Sequence, residues 1–379
     1  MKIVVACGGT GGHAFPGIAA AEELRSRGHE VVVWDSGRDI ESYVMRSWSG
    51  PLFSTGAKPL AVRNAVAVFR SVLRCRREMK RAKPDVLLAM GSYSSLPPVL
   101  AAKSRGVRII LHEANTVPGK AVEFLSRFAD VVATSFAATA RYLPGVKTAL
   151  TGLPVRAGIA SGTRFDFIPP DAFVVFVTGG SQGAHAVNML AKDALSMLKR
   201  ELDGRGEQAK RPLYVIHQTG AADECEVIAA YARASLPARV HAFEGEMQNA
   251  FASADIVVSR AGASTCFELA LCGKPSLLIP LPSALRNHQH VNADAFASNG
   301  AADEGMQSEL SSRQMFRYLL DKYDHPERLE RMSIRARAMA MPDAAARLAD
   351  LVEGRAVAPA DAFPGGHVRD GAQAEGLLR

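Results

Sequence analysis

Three short clusters carry residues suited to holding a phosphorylated ligand. They are Gly8-Gly9-Thr10-Gly11-Gly12-His13, Gly179-Gly180-Ser181-Gln182-Gly183-Ala184, and the run Ser259-Arg260-Ala261-Gly262-Ala263-Ser264-Thr265-Cys266-Phe267-Glu268. In each, small residues and hydroxyls separate an apolar run from a helical pattern. Glycines at a helix start let backbone N–H groups approach a pyrophosphate. The first cluster ends in a titratable imidazole, His13. In the second, Ser181 offers a hydroxyl and an N–H to phosphate. In the third, Glu268 stands about one and a half turns into the helix, where a carboxylate accepts from ribose hydroxyls or simply complements the helix dipole. Two further groups are polar where strands end: His112-Glu113-Ala114-Asn115, and Asn287 to Ala293 with the amides of Gln289 and Asn292. Amides there suit sugar hydroxyls or a plain surface loop.

Competing chemistries share these residues. Gly9 to Ala14 fits a G-x-G-x-x-A dinucleotide fingerprint with Asp35 near the ribose position, but a second glycine turn has no place in a dehydrogenase substrate domain. Gly179 to Gly183 fits the G-x-S-x-G elbow of hydrolases, with His288 or His290 as base, but that fold needs one sheet rather than two βαβ halves. There is no HExxH and no D-x-D pair, so a required metal is not expected.

The elements that must position these clusters repeat a rhythm. Apolar runs at 2–6, 31–34, 86–90, 108–111, 131–133 and 148–151 read as strands, with helical patterns between them such as Ile18 to Arg27. Ala157 to Asp171, with Pro169-Pro170, reads as a linker. The rhythm restarts at Phe173 and continues through 213–216, 240–243, 256–258 and 276–279. The fold class is therefore α/β, with two doubly wound parallel-sheet domains. A helical pattern from Pro326 to Leu351 follows, and from Ala356 on the composition predicts a disordered tail.

The chain has 379 residues, 48% of them apolar and 22% charged, a soluble globular balance that excludes a fibre. Five scattered cysteines exclude a disulfide framework or zinc ribbon and favour a reducing compartment. The apolar run after Lys2 is too short for a signal peptide, and no stretch reaches transmembrane length. The net charge is +7, and the segment Arg63–Lys83, with eight basic residues and one acid, carries all of it. Its spacing predicts a helix with Arg63, Arg70, Arg74, Arg77 and Arg81 on one face beside an apolar stripe of Val62, Val66, Phe69 and Leu73. Either the stripe packs on the core under a solvated basic face, or the helix docks on anionic lipid. Nucleic acid is the weaker reading, because no aromatic residues interleave the charges.

These motifs, in this order, resemble the GT-B glycosyltransferases. Among them the similarity is to the family that moves N-acetylglucosamine from UDP-GlcNAc to lipid I. It spans Lys2 to about Gly354 through GGTGGH, HEAN, LPVR, GGSQGA, GASTCFE and HQHVNA. Gly91-Ser92-Tyr93, HEAN and LPVR stand where the family usually has Gly-Gly-Tyr, HEQN and Asn-Pro-Val-Arg.

The resemblance implies an acceptor and membrane-side domain at 1–156, completed by a returning helix at 337–355, and a UDP-GlcNAc domain at 157–336 facing it across a cleft. Ser181 and Gln182 would meet phosphate, Ala263, Ser264 and Thr265 the pyrophosphate, Glu268 the ribose, and Gln289 and Asn292 the sugar. The uracil loop would be Phe243 to Met247, including Glu244. Thr10, Gly11, Gly12, Asn115 and Arg156 would contribute from the first domain. The acceptor would be undecaprenyl-pyrophosphoryl-MurNAc-pentapeptide, whose 4-hydroxyl attacks with inversion. His13 is the expected base, with Glu113 as the alternative or as the group that orients the imidazole. No cofactor or metal is expected. Phe69, Arg70, Leu73, Arg74 and Arg77 would hold the chain peripherally on the cytoplasmic face of the plasma membrane. Another GT-B acceptor or a UDP-GlcNAc epimerase are the alternative functions.

Overall fold

The computed structural model describes all residues except Thr10, 38–44, Arg46, Leu60 and 358–379, and all their side chains except that of Val62. Among the described residues the chain divides into two compact units: Met1–Ala157 together with 341–357, and Gly158–Ala340. Thr10 and nearly all of the expected tail thus lie outside the described residues.

The first unit is built on strands β1 (Lys2–Ala6), β2 (Glu30–Asp35), β3 (Leu52–Ser54), β4 (Val86–Ala89), β5 (Arg108–Glu113), β6 (Val131–Thr134) and β7 (Thr148–Leu150). They form one parallel sheet in the order β3-β2-β1-β4-β5-β6-β7. Side chains alternate between two buried faces: Ile3, Val5, Val31, Val33 and Leu88 on one, Val4, Ala6, Trp34, Leu87 and Ala89 on the other. Burial on both faces is why these strands read as unbroken apolar runs.

The second unit contains β8 (Phe173–Thr178), β9 (Leu213–Gln218), β10 (Ala238–His241), β11 (Ile256–Ser259), β12 (Ser276–Leu278) and β13 (Asp303–Glu304). They form a parallel sheet in the order β10-β9-β8-β11-β12-β13. Its core sets Phe173, Val175 and Val177 against Leu195 and Leu198 of the helix His185–Arg205.

Several boundaries differ from the sequence reading. The helix expected from Ile18 starts at Gly11 and runs to Ser26, so His13 stands in its first turn. Glycine and Pro16 depress helical propensity there, but packing overrides it. A Cβ on Gly17 would lie 2.1 Å from the Cys7 Cβ, so only glycine lets this helix seat on β1. The pattern 326–351 is two helices, Pro326–Ala338 and Ala344–Glu353, because Pro342 lacks an N–H and turns Met341 away from helical geometry. The return to the first unit therefore begins at Met341 rather than 337. Arg337 stays behind, its side chain covering Gly273. The second helix is stapled to the first unit: Arg27 donates to Asp350 and Glu353, and Arg108 donates to the carbonyls of Leu351 and Val352. Strands β3 and β13 are too short to show a period, and β10 begins two residues before its expected place.

Candidate active site

Sheet order explains why the glycine clusters matter. In the first unit the order reverses direction between β1 and β4, and in the second between β8 and β11. Open parallel sheets bind ligands outside the strand ends at such a switch point. The GGTGGH turn follows β1, GGSQGA follows β8, and the Ser259–Gly262 turn follows β11. Three helices start there: Gly11–Ser26, His185–Arg205 and Ala263–Cys272. None has an acidic residue in its first turn, and the latter two have no side-chain cap. By contrast, Ser311 and Gln314 form a full capping box on Ser312–Asp324. The starts of His185–Arg205 and Ala263–Cys272 therefore leave an N-terminal partial positive charge that no side-chain cap or first-turn acid offsets, which suits an anion.

In the first unit, His13 Nδ1 lies 2.9 Å from the Met90 carbonyl oxygen. A carbonyl only accepts, so Nδ1 carries the proton and Nε2 is the lone-pair nitrogen of the neutral ring. Glu113 is buried and does different work. Its Oε1 accepts from the Asn115 backbone N–H at 2.8 Å and the Asn115 amide at 3.2 Å, and its Oε2 accepts from Gly119 at 3.0 Å. Burial pushes this carboxyl above its ordinary range against the pull of those donors. Glu113 thus shapes the 114–119 loop, and the Met90 carbonyl holds the His13 ring. Neighbouring His112 donates from Nε2 to the Gly152 carbonyl at 3.1 Å, and burial drives its pKa down to about 4. Arg156 stacks on Phe15 of the His13 helix, 4.7 Å from the ring centre. Gly12 is exposed and Gly11 half-buried.

In the second unit, Ser181 and Gln182 are exposed at the tip of their turn. Ala263, Ser264 and Thr265 form the first turn of their helix, and the Ser264 Oγ is buried with no partner among the described residues. An unmatched buried hydroxyl costs about 1–3 kcal/mol, and a phosphate oxygen among these N–H groups fits it. Glu268 is buried one turn further on. Asn292 is buried and donates to the Ala261 carbonyl at 3.2 Å, bracing the turn that precedes the helix. The Gln289 Oε1 accepts from the Leu281 N–H at 3.0 Å. Glu244 accepts from Arg239 at 2.9 and 3.2 Å and from the Glu246 N–H at 2.9 Å. Burial works to raise the Glu244 pKa, but these donors outweigh it and hold the carboxyl below its usual range. That side chain is a strut within its loop.

Arg260 stands inside the third cluster, but the sequence reading gives it no role. Its buried guanidinium donates to the carbonyls of Ile279 and Pro280 and to Gln307, with no carboxylate partner among the described residues. A buried cation behind Gly262 adds to the potential of the helix start. The only sequence signal was its position at the end of β11. Among the described residues no three metal-ligating side chains come together.

The basic helix is Ala65–Ala82, and it buries Ser71, Cys75 and Met79. The apolar stripe is not core: Val66 is 64%, Phe69 62% and Leu73 37% exposed. A groove of about 420 Å³ runs along it, lined by Phe53, Arg70, Leu73, Arg74, Arg77 and Glu78. Arg74 stacks over Phe53 at 5.1 Å. Among the described residues no helix is long and apolar enough to cross a membrane.

Two doubly wound parallel-sheet units, each with a glycine turn at its switch point, define a GT-B fold. Residues 3–134 match the glycosyltransferase family 28 N-terminal domain and residues 174–348 the C-terminal domain of the same family, so the chain belongs to glycosyltransferase family 28. It is 37% identical to the UDP-N-acetylglucosamine–N-acetylmuramyl-(pentapeptide) pyrophosphoryl-undecaprenol N-acetylglucosamine transferase of Pelobacter propionicus, over 92% of this chain and 98% of that one. The crystal structure of Acinetobacter baumannii MurG superposes with a TM-score of 0.73 at 28% identity, covering 93% of this chain and 99% of the other. A UDP-GlcNAc 2-epimerase from Neisseria meningitidis bound to UDP-GlcNAc reaches a TM-score of 0.67 at 13% identity, covering 94% of this chain and all of the other, a likeness of fold alone.

Proposed function

We propose that this chain is an inverting glycosyltransferase that moves GlcNAc from UDP-GlcNAc to the MurNAc 4-hydroxyl of undecaprenyl-pyrophosphoryl-MurNAc-pentapeptide. The second unit takes the donor. The GGSQGA turn and the start of Ala263–Cys272 receive the diphosphate, Glu268 the ribose, Gln289 the sugar, and the backbone of Phe243–Met247 the base. The first unit takes the acceptor through Gly11, Gly12, Asn115 and Arg156. The His13 Nε2 removes the proton from the 4-hydroxyl as its oxygen attacks the anomeric carbon. The bond from that carbon to the diphosphate oxygen breaks, and its electron pair leaves with UDP. Helix-start N–H groups, Ser264 and Arg260 stabilise the departing charge, a role that requires no metal.

The observation that carries this reading is the 2.9 Å pairing of His13 Nδ1 with the Met90 carbonyl, which leaves Nε2 as the basic nitrogen in the first turn of the helix that follows β1. Incubation with UDP-GlcNAc and a soluble lipid I analogue tests it. UDP release that depends on acceptor supports transfer, whereas an epimer formed from the donor alone overturns it.

The exposed stripe of Phe69 and Leu73, flanked by Arg70, Arg74 and Arg77, is the surface we assign to the anionic cytoplasmic face of the plasma membrane. An apolar strip rimmed by arginine matches an interfacial helix.

A further inference from the structure

A buried polar chain lies under the GGSQGA turn, and none of its members was singled out by sequence. Asn188 is fully buried and donates from Nδ2 to the Thr219 carbonyl and to Asp223 Oδ2, both at 2.7 Å. Both amide hydrogens are thereby used, so its Oδ1 can only accept, and His217 Nε2 donates to it at 3.1 Å. The other nitrogen of His217 is then an acceptor, and the Tyr231 hydroxyl donates to Nδ1 at 2.8 Å. Asp223 Oδ1 pairs with His185 Nδ1 at 2.9 Å, at the first residue of the following helix. Reversing the Asn188 amide would set its oxygen against the Thr219 carbonyl and Asp223, and the other neutral tautomer of His217 would set a lone pair against Asn188 Oδ1. The Asn188–His217–Tyr231 chain therefore has a single arrangement with His217 neutral.

What this chain holds is the surface that shapes the turn. A Cβ on Gly183 would lie 1.9 Å from the Thr219 carbonyl oxygen, and one on Gly220 would lie 2.4 Å from the Gln182 carbonyl oxygen. The two turns therefore touch backbone to backbone. Gln218 adds a direct bond, its Nε2 donating to the Gly180 carbonyl at 2.7 Å. A shift of Thr219 must move Gln182 and Gly183 with it.

We propose that His217 and Tyr231 are positioning residues for the donor diphosphate, acting through Asn188 and the Thr219–Gly220 turn on the Gly180–Gly183 turn. The proposal rests on the donor reading of this unit. It deepens that reading by assigning donor affinity to residues that never touch the donor.

The test uses the full chain with His217→Leu, His217→Gln and Tyr231→Phe, each checked for folding by circular dichroism and thermal melting. UDP affinity is read by calorimetry, both KM values and kcat by UDP release, and backbone hydrogen exchange over residues 179–184 by mass spectrometry. His217→Leu removes two buried hydrogen bonds, and loss of the one that reaches the turn through Asn188 predicts that the donor KM rises about tenfold. The acceptor KM should hold, kcat should change little, and exchange in 179–184 should quicken. Gln reaches the Nε2 position of His, so His217→Gln should restore most of the affinity, and Tyr231→Phe should show a smaller loss. Folded variants with wild-type UDP affinity and wild-type exchange overturn the proposal. So does a parallel rise in both KM values with a fall in melting temperature that His217→Gln fails to rescue. If His217→Leu does not fold, Tyr231→Phe, which removes one oxygen, decides alone. Failure of wild-type protein to bind UDP would instead remove the donor reading, and the proposal with it.

Discussion

His13 donates from Nδ1 to the Met90 carbonyl at 2.9 Å, so a residue in the first turn of the helix that follows β1 has its proton placed by the residue just after β4. The two strands are neighbours at the switch point, and the bond orients the ring. A backbone carbonyl thereby selects the tautomer of the ring.

Replacing His13 tests that arrangement. His13→Ala should lower kcat by the roughly 10²–10⁴ typical of a lost general base, with little change in UDP affinity. UDP-release kinetics beside calorimetry on the same variant separate the two effects. Near wild-type turnover would take the base role away from His13.

Ser264→Ala makes an unusual pair of expectations. The Oγ is buried and unmatched among the described residues, so its removal should leave the melting temperature unchanged or raised. A hydrogen bond to a charged phosphate is worth about 1.5–3 kcal/mol, so the donor KM should rise on the order of tenfold to a hundredfold. A stability loss without a KM change would make the hydroxyl a packing group.

The arginines beside Phe69 bear on lipid alone. Each basic residue near an anionic surface contributes about 1 kcal/mol, so removing Arg70, Arg74 and Arg77 together should weaken vesicle binding about a hundredfold. Vesicles containing phosphatidylglycerol, sedimented at low and high salt, give the measurement. Turnover on a soluble acceptor should not change. Unaltered vesicle binding would make the stripe an ordinary solvated face.

Acid should weaken the fold through its buried imidazoles. Burial takes His112 down to about 4 and His217 to about 3, against an ordinary value of 6.5. A folded-state pKa below the unfolded one contributes stability that is complete above 6.5 and lost as pH falls toward the folded values. At pH 5 the loss is about 2 kcal/mol for each ring. Glu113 and Glu304, raised by burial, act in the opposite sense, so the contrast with a variant matters more than the total. Urea unfolding at pH 7 and pH 5 should show His217→Gln losing about 2 kcal/mol less than wild type. Equal losses would mean that His217 is protonated in the fold.

The residue order alone determined the α/β class, the two sheets and the three clusters, since strands buried on both faces leave unbroken apolar runs and helix starts that bind anions leave small residues and no acid. It also placed His13 beside a glycine turn and charge on the helix at 65–82. Only the tertiary structure decided what those side chains meet. Glu113 binds its own loop, Glu244 binds Arg239, and Asn292 braces Ala261. The apolar stripe of Val66 and Phe69 faces out because Ser71, Cys75 and Met79 take the core side. Asn188, His217 and Tyr231 left no local signal, for a hydrogen bond across 29 residues depends on strand order and rotamer, which neither periodicity nor composition encodes.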